Sequence, residues 1–221
     1  MIKGDCSTSS QPLKQEMLLS FQSYLLLKRG LDVVMAGIAL LMLSPLFILI
    51  AIVIVIDNPG PVLFSQIRIG KNNKPFRFYK FRSMVKNATA LQAQLMAENE
   101  AAGPIFKMRR DPRVTRAGRI LRKYSLDELP QLFSVLCGEM SLVGPRPHLP
   151  SEVAQYEAHQ RQRLTVQPGL VCLREVHGRS ELTFERWIEM DLQYIACRSL
   201  WTDLGILVRL VPAVLGGRGA Y

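Results

Sequence analysis

Apolar residues are concentrated in one long segment near the start of the chain. From Leu31 to Ile56 the only polar or strongly helix-disfavouring residues are Asp32, Ser44 and Pro45. A single helix of these 26 residues would reach roughly 39 Å, which is enough to cross a hydrocarbon core of about 30 Å. The segment ends in β-branched residues and not in the small residues of a signal-peptide cleavage site. The pattern therefore predicts a membrane segment that is retained in the protein.

Both flanks of this segment are basic. Lys28 and Arg29 precede it, and seven lysines and arginines follow between Arg68 and Lys86, with Asp57 as the only nearby acid. Lysine and arginine flanks are held on the cytoplasmic side of a membrane, so a single span would export one basic flank against that bias. The charge pattern therefore favours a topology in which both ends return to the cytoplasmic side.

The middle of the segment contains a helix-disfavouring pair, Ser44-Pro45. Proline removes a backbone donor and clashes with the preceding turn, so the pair predicts a kink or a helix-turn-helix. Each arm then has about 12 residues and a length of roughly 18 Å, which is too short to cross. We therefore predict a re-entrant membrane helix. A plain span, with its proline accommodated by neighbouring groups, is the alternative.

The rest of the chain predicts a mostly helical α/β fold with one small β-hairpin. Two β-prone runs, Val62–Ile69 and Phe76–Phe81, flank a turn of lysines and asparagines, and helix-favouring residues follow from Met84 to Ala102. Three regions result: a mobile tail and interfacial lead-in over residues 1–27, the membrane helix over 28–57, and a cytoplasmic domain over 58–221.

The stretch from Lys107 to Lys123 is strongly basic, with eight lysines and arginines and Asp111 as its only acid. Ile120 and Leu121 supply an apolar side. Four of the cations recur at helical spacing: Arg116, Arg119, Arg122 and Lys123. One face of this predicted helix would meet anionic headgroups or phosphates, and a merely solvated basic face is the alternative.

Composition narrows the class of protein. The 221 residues carry 28 Lys+Arg against 18 Asp+Glu, a net charge of +10, and 48% are hydrophobic. Such a chain is not disordered, and a soluble nucleic-acid binder is rarely so hydrophobic. The basic excess points to an anionic membrane surface or a phosphorylated substrate. Four dispersed cysteines without a CxxC pair, and three histidines, indicate neither a disulfide framework nor a zinc site, which favours a reducing compartment.

Two adjacent carboxylates, Asp127 and Glu128, follow the basic stretch. Ser125 and Glu128 match a capping box, but Pro130 would then lie where its missing N–H is needed, so we favour Asp127 as the helix N-cap. A helix N-terminus would lower the pKa of both carboxyls and keep them ionised, which suits nucleophilic attack or metal binding. Neighbouring helix positions point about 100° apart, so the two side chains should have separate roles. The alternative is that Asp127 only caps and Glu128 only balances the basic neighbours.

Two arginines are candidates for binding an anion. Arg146 stands between Pro145 and Pro147, whose rings fix the backbone on both sides, and this rigidity suits a preorganised contact. An ordinary turn with an exposed arginine is the alternative. Arg179, in the turn-like run His177–Ser180, is a weaker signal by itself.

Taken together, these motifs resemble those of the bacterial sugar transferase family, the monotopic phosphoglycosyl transferases that begin the assembly of lipid-linked exopolysaccharides and related glycans. The resemblance covers Lys28 to Tyr221. The motifs that carry it are Lys28-Arg29 with Asp32, Ser44-Pro45, Gln66–Gly70, Tyr79–Met84, Ser125–Gln131, Gly144–Pro147, Gly178–Ser180 and Arg218–Tyr221. It implies a re-entrant membrane helix kinked at Ser44-Pro45 and a cytoplasmic α/β catalytic region at the bacterial inner membrane.

The resemblance also implies an activity. A sugar 1-phosphate would pass from a UDP-sugar to undecaprenyl phosphate with Mg²⁺, through a covalent intermediate on Asp127, and UMP would leave. Glu128 would bind magnesium, with Asp127, or handle the acceptor's proton. The expected phosphate contacts are Lys80, Arg122, Arg146 and Arg179, with Asp191 as a weaker site candidate. Membrane lipids are expected partners, nucleic acid is not, and a homo-oligomer is left open.

Two positions depart from the family pattern. Asn73 stands where the family often has glycine, and asparagine tolerates the left-handed conformation that such a turn requires. The family's usual Pro-Gly-Ile-Thr-Gly-Leu-Trp-Gln-Val is here Pro168–Val176, with a glycine, a tryptophan and a glutamine replaced. This second departure bears on the preference for sugar or nucleotide.

A different class of function remains an alternative, namely a membrane-tethered basic module that binds nucleic acid or anionic lipid without catalysis. The basic charge fits it. It does not explain Asp127-Glu128 between basic motifs, and the basic stretch lacks the interleaved aromatic residues on which bases stack.

Overall fold

One long helix and a small mixed domain make up the molecule. The computed structural model describes residues 10–100, 105–106, 108–178 and 182–216, with side chains from Phe21 onward. Helix α1 runs from Ser10 to Asp57, 48 residues. Its part from Phe21 to Asp57 is long and apolar enough to cross a membrane, and only 11% of its most hydrophobic window is buried. A core helix of a soluble protein would be mostly buried, so this exposure favours contact with lipid.

Helix α1 corrects two expectations. The predicted mobile tail is too long, because the chain is already helical from Ser10; the residues before it lie outside the described part. A helix-turn-helix at Ser44-Pro45 is also wrong, since α1 continues through Pro45. Ser44 Oγ donates to the carbonyl of Leu41 at 2.8 Å, one of the ways in which a helix accommodates irregular backbone. The kink itself stays a prediction.

A narrow stripe of α1 packs against the domain. Asp32, Ala36, Ile50 and Ile54 are buried, and their spacing of four and fourteen residues places them on one face. Ala36 joins the cluster around Phe78, Leu132 and Val135, and Ile50 and Ile54 join that of Phe81 and Leu121. The domain therefore contacts the apolar segment along its length.

The predicted hairpin is confirmed. Strands β1 (Leu63–Ile69) and β2 (Pro75–Phe81) pair antiparallel, and a 3₁₀ turn, Lys71–Asn73, joins them. Asn72 and Asn73 have φ of 56° and 60°, the left-handed region that asparagine tolerates better than most residues. Asn73 thus serves the turn without a glycine.

A second small sheet escaped prediction. Strands β3 (Ser141–Val143) and β4 (Gly169–Val171) pair in parallel. Each has three residues, too few for a hydrophobic period to show in the sequence. A Cβ on Gly169 would lie 2.0 Å from the amide nitrogen of Gly144, so only glycine permits this approach of the two chain segments.

Short helices complete the domain. The helical stretch predicted after the hairpin is divided into a helix and a 3₁₀ segment. The predicted basic helix is confirmed. Its buried side is formed by Ala117, Gly118 and Leu121, whereas Ile120, expected on that side, is 61% exposed. The helices are α2 (Ala88–Gln92), α3 (Arg116–Lys123), α4 (Gln131–Cys137), α5 (Pro150–Ala154), α6 (Leu173–Val176), α7 (Phe184–Cys197) and α8 (Leu200–Gly216), with 3₁₀ segments at Ala93–Glu98, Leu126–Glu128 and Gln160–Thr165.

Candidate active site

The two adjacent carboxylates lie on a short 3₁₀ turn, Leu126–Glu128. Ser125, just before it, has a left-handed φ of 53°, an uncommon conformation for a residue with a side chain. Helix α4 begins only at Gln131, with Pro130 as the preceding residue. Asp127 is therefore not a helix N-cap, and that expectation is wrong. The reason is the reversal of the chain at Ser125, which packing imposes and local sequence does not reveal.

Glu128 is held by two cations. Arg146 donates through Nη1 to Oε2 at 3.0 Å and through Nη2 to Oε1 at 2.5 Å, and Lys80 Nζ donates to Oε1 at 2.7 Å. Burial opposes ionisation of this carboxyl, but Arg146 and Lys80 outweigh it and hold the pKa of Glu128 well below its usual range. Glu128 is thus a fixed anion that orients both cations.

Asp127 is held differently from its neighbour. Lys80 Nζ lies 3.8 Å from Oδ2, and among the described residues it is the only ion-pair partner of this carboxylate. Burial raises the pKa of Asp127, and the charge of Glu128 adds to this, while Lys80 and Arg122 oppose it. The expectation of a lowered pKa is confirmed for Glu128 and wrong for Asp127. The cause is that burial dominates at Asp127, whereas among the described residues Glu128 receives hydrogen bonds from Arg146 and Lys80.

Lys80 reaches both carboxylates because of strand geometry. Alternate residues of a strand share a face, and Phe76 and Phe78 on the same face of β2 are buried. The ammonium lies 5.5 Å from the centre of the Phe78 ring. Burial lowers the pKa of Lys80, although Glu128 and Asp127 oppose the shift.

Arg146 is positioned by the loop that follows β3. Gly169 N donates to the carbonyl of Pro145 at 2.8 Å, and Arg68 Nη1 donates to that of Pro147 at 3.2 Å. His148 is bonded to β1, its carbonyl accepting from Ile69 N at 2.9 Å. The backbone on each side of Arg146 is therefore anchored, as the flanking prolines predict, and the guanidinium itself pairs with Glu128. An exposed turn arginine is not what the structure shows.

Of the two other predicted phosphate contacts, Arg122 lies near the carboxylates and Arg179 is not among the described residues. Arg122 Nε donates to Ser83 Oγ at 3.0 Å, and its charge acts on Asp127. Helix α3 comes close enough for this because of Gly118, where a Cβ would lie 2.0 Å from the carbonyl oxygen of Ser83.

A buried ion pair supports Arg146 from behind. Arg163 Nη2 donates to the carbonyl of Arg146 at 3.1 Å and also pairs with Asp191; both charged side chains are 1% exposed. Arg163 Nη1 donates to the Tyr156 hydroxyl at 2.7 Å. The structure thus places Asp191 in a supporting network, and among the described ion pairs it pairs with Arg163 and not with Lys80 or Arg146. Sequence analysis missed Arg163, and no local signal marks it.

Glu175 is a second residue that sequence analysis missed. Its Oε1 lies 3.7 Å from Arg146 Nη1 and 3.0 Å from Arg174 Nη2. The Arg174 guanidinium in turn lies 4.0 Å from the centre of the Trp187 ring. Arg174 and Glu175 both belong to the stretch Pro168–Val176 that departs from the family pattern, so this departure lies beside Arg146. That departure was the available signal.

The carboxylates are the candidate ligands for a metal ion. In the described part of the chain, no group of three or more histidine, cysteine or acidic side chains could hold one. Mg²⁺ does not need such a cage, because it is commonly bound by one or two carboxylates together with substrate phosphates and water. Asp127 and Glu128 fit this partial donor set. The site as a whole combines buried carboxylates with Lys80 and Arg146, which suits chemistry at a phosphate group.

Comparison with known proteins gives the same class. The chain matches the family model of the bacterial sugar transferases over residues 23–217, and it belongs to that family. It is 42% identical over 199 residues to the galactosyl transferase CpsE of Streptococcus agalactiae, covering 90% of this chain and 44% of CpsE. It is 38% identical over 198 residues to the exopolysaccharide production protein ExoY of Sinorhizobium fredii, covering 88% of each chain.

A further relative is named for its lipid carrier. The chain is 42% identical over 205 residues to the undecaprenyl-phosphate glucose phosphotransferase of Komagataeibacter xylinus, covering 88% of this chain and 37% of that protein. The chain thus spans less than half the length of this relative and of CpsE, and nearly all of ExoY. Membership of the bacterial sugar transferase family favours a transferase over a non-catalytic basic module.

Proposed function

We propose that this protein transfers a sugar 1-phosphate from a UDP-sugar to undecaprenyl phosphate and releases UMP. This would be the first membrane step in the assembly of an exopolysaccharide or related glycan. The names of the relatives support a transferred sugar and the lipid acceptor, because one is a galactosyl transferase and another an undecaprenyl-phosphate glucose phosphotransferase. These two relatives have the same identity to this chain but different sugars, so overall identity does not indicate which sugar is transferred.

One observation carries the assignment of roles, namely the different surroundings of two adjacent carboxylates. Glu128 is committed to Arg146 and Lys80 through both of its oxygens. Asp127 has Lys80 at 3.8 Å, so its oxygens are less committed to protein donors. A nucleophile needs an available lone pair, and an orienting anion needs fixed partners. We assign Asp127 as the nucleophile and Glu128 as the residue that organises the cations and, with Asp127, a magnesium ion.

The proposed reaction has two displacements. An Asp127 oxygen attacks the phosphorus that bears the sugar, a P–O bond forms, and the bond to UMP breaks. A phosphate oxygen of undecaprenyl phosphate then attacks the same phosphorus, which forms the diphosphate linkage and restores the Asp127 carboxylate. Lys80 and Arg146 offset the charge of the diphosphate as the anionic nucleophile approaches. Mg²⁺, when bound, would supply further neutralisation of the phosphate oxygens and of the departing UMP.

The test is release of UMP by the purified full-length protein in the presence of undecaprenyl phosphate. A panel of UDP-sugars, assayed in parallel with and without Mg²⁺, identifies the donor. Release from one or more of these that depends on the lipid phosphate would support the proposal. Absence of release from every UDP-sugar, with a folded protein, would refute it.

Replacing Arg146 by lysine should lower kcat/KM for the UDP-sugar at least about tenfold, or roughly 1.4 kcal/mol. Lysine keeps the charge but loses the planar fork that bonds both oxygens of Glu128. If the Arg146→Lys variant had the kcat/KM of wild type, Arg146 would have only a structural role in its loop. The matched control is Arg186→Lys, at an exposed surface ion pair, which should leave kcat/KM unchanged.

We further propose that α1 is re-entrant and that the domain lies on the cytoplasmic face of the inner membrane. Both ends of the apolar segment contact the same domain: Lys28 pairs with Asp203 at 2.6 Å, and Asp57 Oδ2 accepts from Ala117 N at 3.0 Å. Between them, Asp32 accepts from Leu142 N at 3.0 Å. A helix that crossed the bilayer would carry one end away from the domain, so these contacts favour re-entry.

Helix α8 offers a second apolar surface beside α1. Its exposed apolar residues recur every three or four positions and thus form one stripe: Trp201, Leu204, Val208, Val211 and Leu215. The opposite face carries Asp203, which links α8 to Lys28 at the start of the membrane segment. The stripe therefore lies near the level at which α1 enters the membrane, and we propose that it contacts the lipid surface.

Labelling experiments test the topology. In a cysteine-free background, Ser10→Cys and Lys74→Cys should both be protected from an impermeant reagent applied from the periplasm, and both should be labelled after the cells are permeabilised. Labelling of only one in intact cells would establish a span. Changing Ser44 and Pro45 to alanine and leucine should favour crossing, because it restores a continuous donor ladder in the helix.

A further inference from the structure

A cavity lies where α1 meets β3, the Gln160–Thr165 segment and α7. Its volume is about 170 Å³, well above the roughly 10–15 Å³ that a cavity needs to hold one water molecule. Phe21, Leu25 and Met140 form an apolar side. Its polar side has four cations, Lys28, Arg29, Lys71 and Arg198, and one carboxylate, Asp32. The cavity is thus amphipathic and has an excess of positive charge.

The cations differ in what they already bind. Lys28 pairs with Asp203, and Arg29 donates to the carbonyls of Val135 and Leu136 at 2.6 and 2.8 Å. Arg198 is different: its Nε and Nη1 are buried, and neither has a hydrogen-bond partner among the described residues. Its guanidinium lies 4.9 Å from the centre of the Phe21 ring, which offers no acceptor of the ordinary kind. Buried guanidinium donors without acceptors are costly, so a bound acceptor would stabilise them.

Tyr24 adds to this set of donors. Its hydroxyl lines the same cavity and is buried, and the protein group it interacts with there is the Tyr194 hydroxyl. The neighbouring Tyr194 hydroxyl is committed to Asp203 Oδ1 at 2.7 Å. Donors from Arg198 and Tyr24 beside an apolar wall are complementary to an anion that carries a hydrocarbon group.

The cavity lies at the level of lipid headgroups. Lys28 and Arg29 directly precede the apolar segment, and aromatic and basic residues at that position are typical of the membrane interface. It is also separate from the carboxylates. Lys71 belongs to the tip of the hairpin, whereas Lys80 is near the far end of β2, and the strand from Pro75 to Lys80 alone spans about 17 Å. Neither Lys80 nor Arg146 lines the cavity.

We propose that this cavity binds the phosphate-bearing headgroup of an anionic bilayer lipid, with Arg198 as the principal donor and Tyr24 as a second. The inference rests on the membrane association proposed above. Undecaprenyl phosphate has a similar phosphate group, but as acceptor it must reach Asp127. The separation along the hairpin therefore favours a bilayer lipid as the occupant. Such a lipid would fix α1 against α7 where the chain meets the membrane.

Native mass spectrometry of the detergent-solubilised full-length protein tests this directly. Titration with dioleoylphosphatidylglycerol should give a bound lipid, and Arg198→Gln should weaken its apparent Kd at least about tenfold, or roughly 1.4 kcal/mol. Tyr24→Phe should weaken binding less, in the same direction, and serves if the first variant does not fold. The matched control is Arg186→Gln, an exposed arginine on α7, whose apparent Kd should stay within about twofold of wild type.

Two results would overturn the proposal. One is equal binding of phosphatidylglycerol by the wild type and by folded Arg198→Gln or Tyr24→Phe. The other is loss of undecaprenyl phosphate binding in these variants with phosphatidylglycerol binding retained, which would make the cavity an acceptor site. The measurement contains no UDP-sugar, so failure of the proposed transfer reaction would not change it. Loss of lipid binding with normal UMP release, conversely, leaves the proposed function intact.

Discussion

Replacing Asp127 by asparagine should lower turnover by at least about a thousandfold, or roughly 4 kcal/mol of transition-state stabilisation. Asparagine keeps the shape of the side chain but has no carboxylate with which to form the proposed covalent intermediate. UMP release with the donor UDP-sugar and undecaprenyl phosphate measures the effect. Intact-mass analysis gives a second measurement: without acceptor, wild type should gain one sugar-phosphate adduct, and the variant should not.

The Asp127→Asn variant should also remain folded, so the loss can be attributed to chemistry. Burial raises the pKa of Asp127, which means that the folded protein disfavours its ionised form, and a neutral amide removes that cost. The control is Glu157→Gln, at an exposed carboxylate, which should release UMP at the wild-type rate. Near-wild-type turnover by folded Asp127→Asn would exclude a covalent role for this residue.

Replacing Asp191 by asparagine should lower the free energy of unfolding by about 3–5 kcal/mol, because it leaves the buried guanidinium of Arg163 without its counter-ion. Both side chains are 1% exposed, so water cannot take the place of the carboxylate. For a domain of this size such a loss corresponds to a fall in Tm of roughly 6–20 °C. Thermal unfolding in detergent measures it. Since Arg163 also donates to the carbonyl of Arg146, kcat/KM should fall as well.

The matched control for this pair is on the surface. Arg186 and Glu189 form an ion pair with side chains 59% and 63% exposed, and Glu189→Gln should cost less than about 1 kcal/mol. A loss for Asp191→Asn no larger than that of the surface variant would contradict the assignment. Replacing Arg163 and Asp191 together by leucine and methionine should restore part of the stability, because no unpaired buried charge then remains.

The sequence determined the features whose cause is local. The long apolar helix follows from a run that only Asp32, Ser44 and Pro45 interrupt, and the hairpin follows from two β-prone runs around a turn. The sequence shows that Asp127 and Glu128 lie together near cations, because the two carboxylates are adjacent in the chain and follow a basic stretch. Lys80 and Arg146 were recognised from motifs, and the structure brings both to Glu128.

The three-residue strands β3 and β4 could not be predicted in this way. Their pairing joins residues that are 28 positions apart in the sequence and depends on the mutual approach of Gly144 and Gly169. That sheet fixes the loop that carries Arg146. A motif thus indicated which arginine matters, and a contact distant in sequence decided where it points.

Tertiary structure alone decided the electrostatics of the site. Local sequence predicts one helix terminus and low pKa values for both carboxyls, whereas the left-handed turn at Ser125 places Asp127 in a buried position and leaves Glu128 to receive the hydrogen bonds. Arg163 and Glu175 were not readable either. The pKa of a group depends on burial and on charges within a few ångströms. Those distances are fixed by how remote segments pack, which a local pattern does not encode.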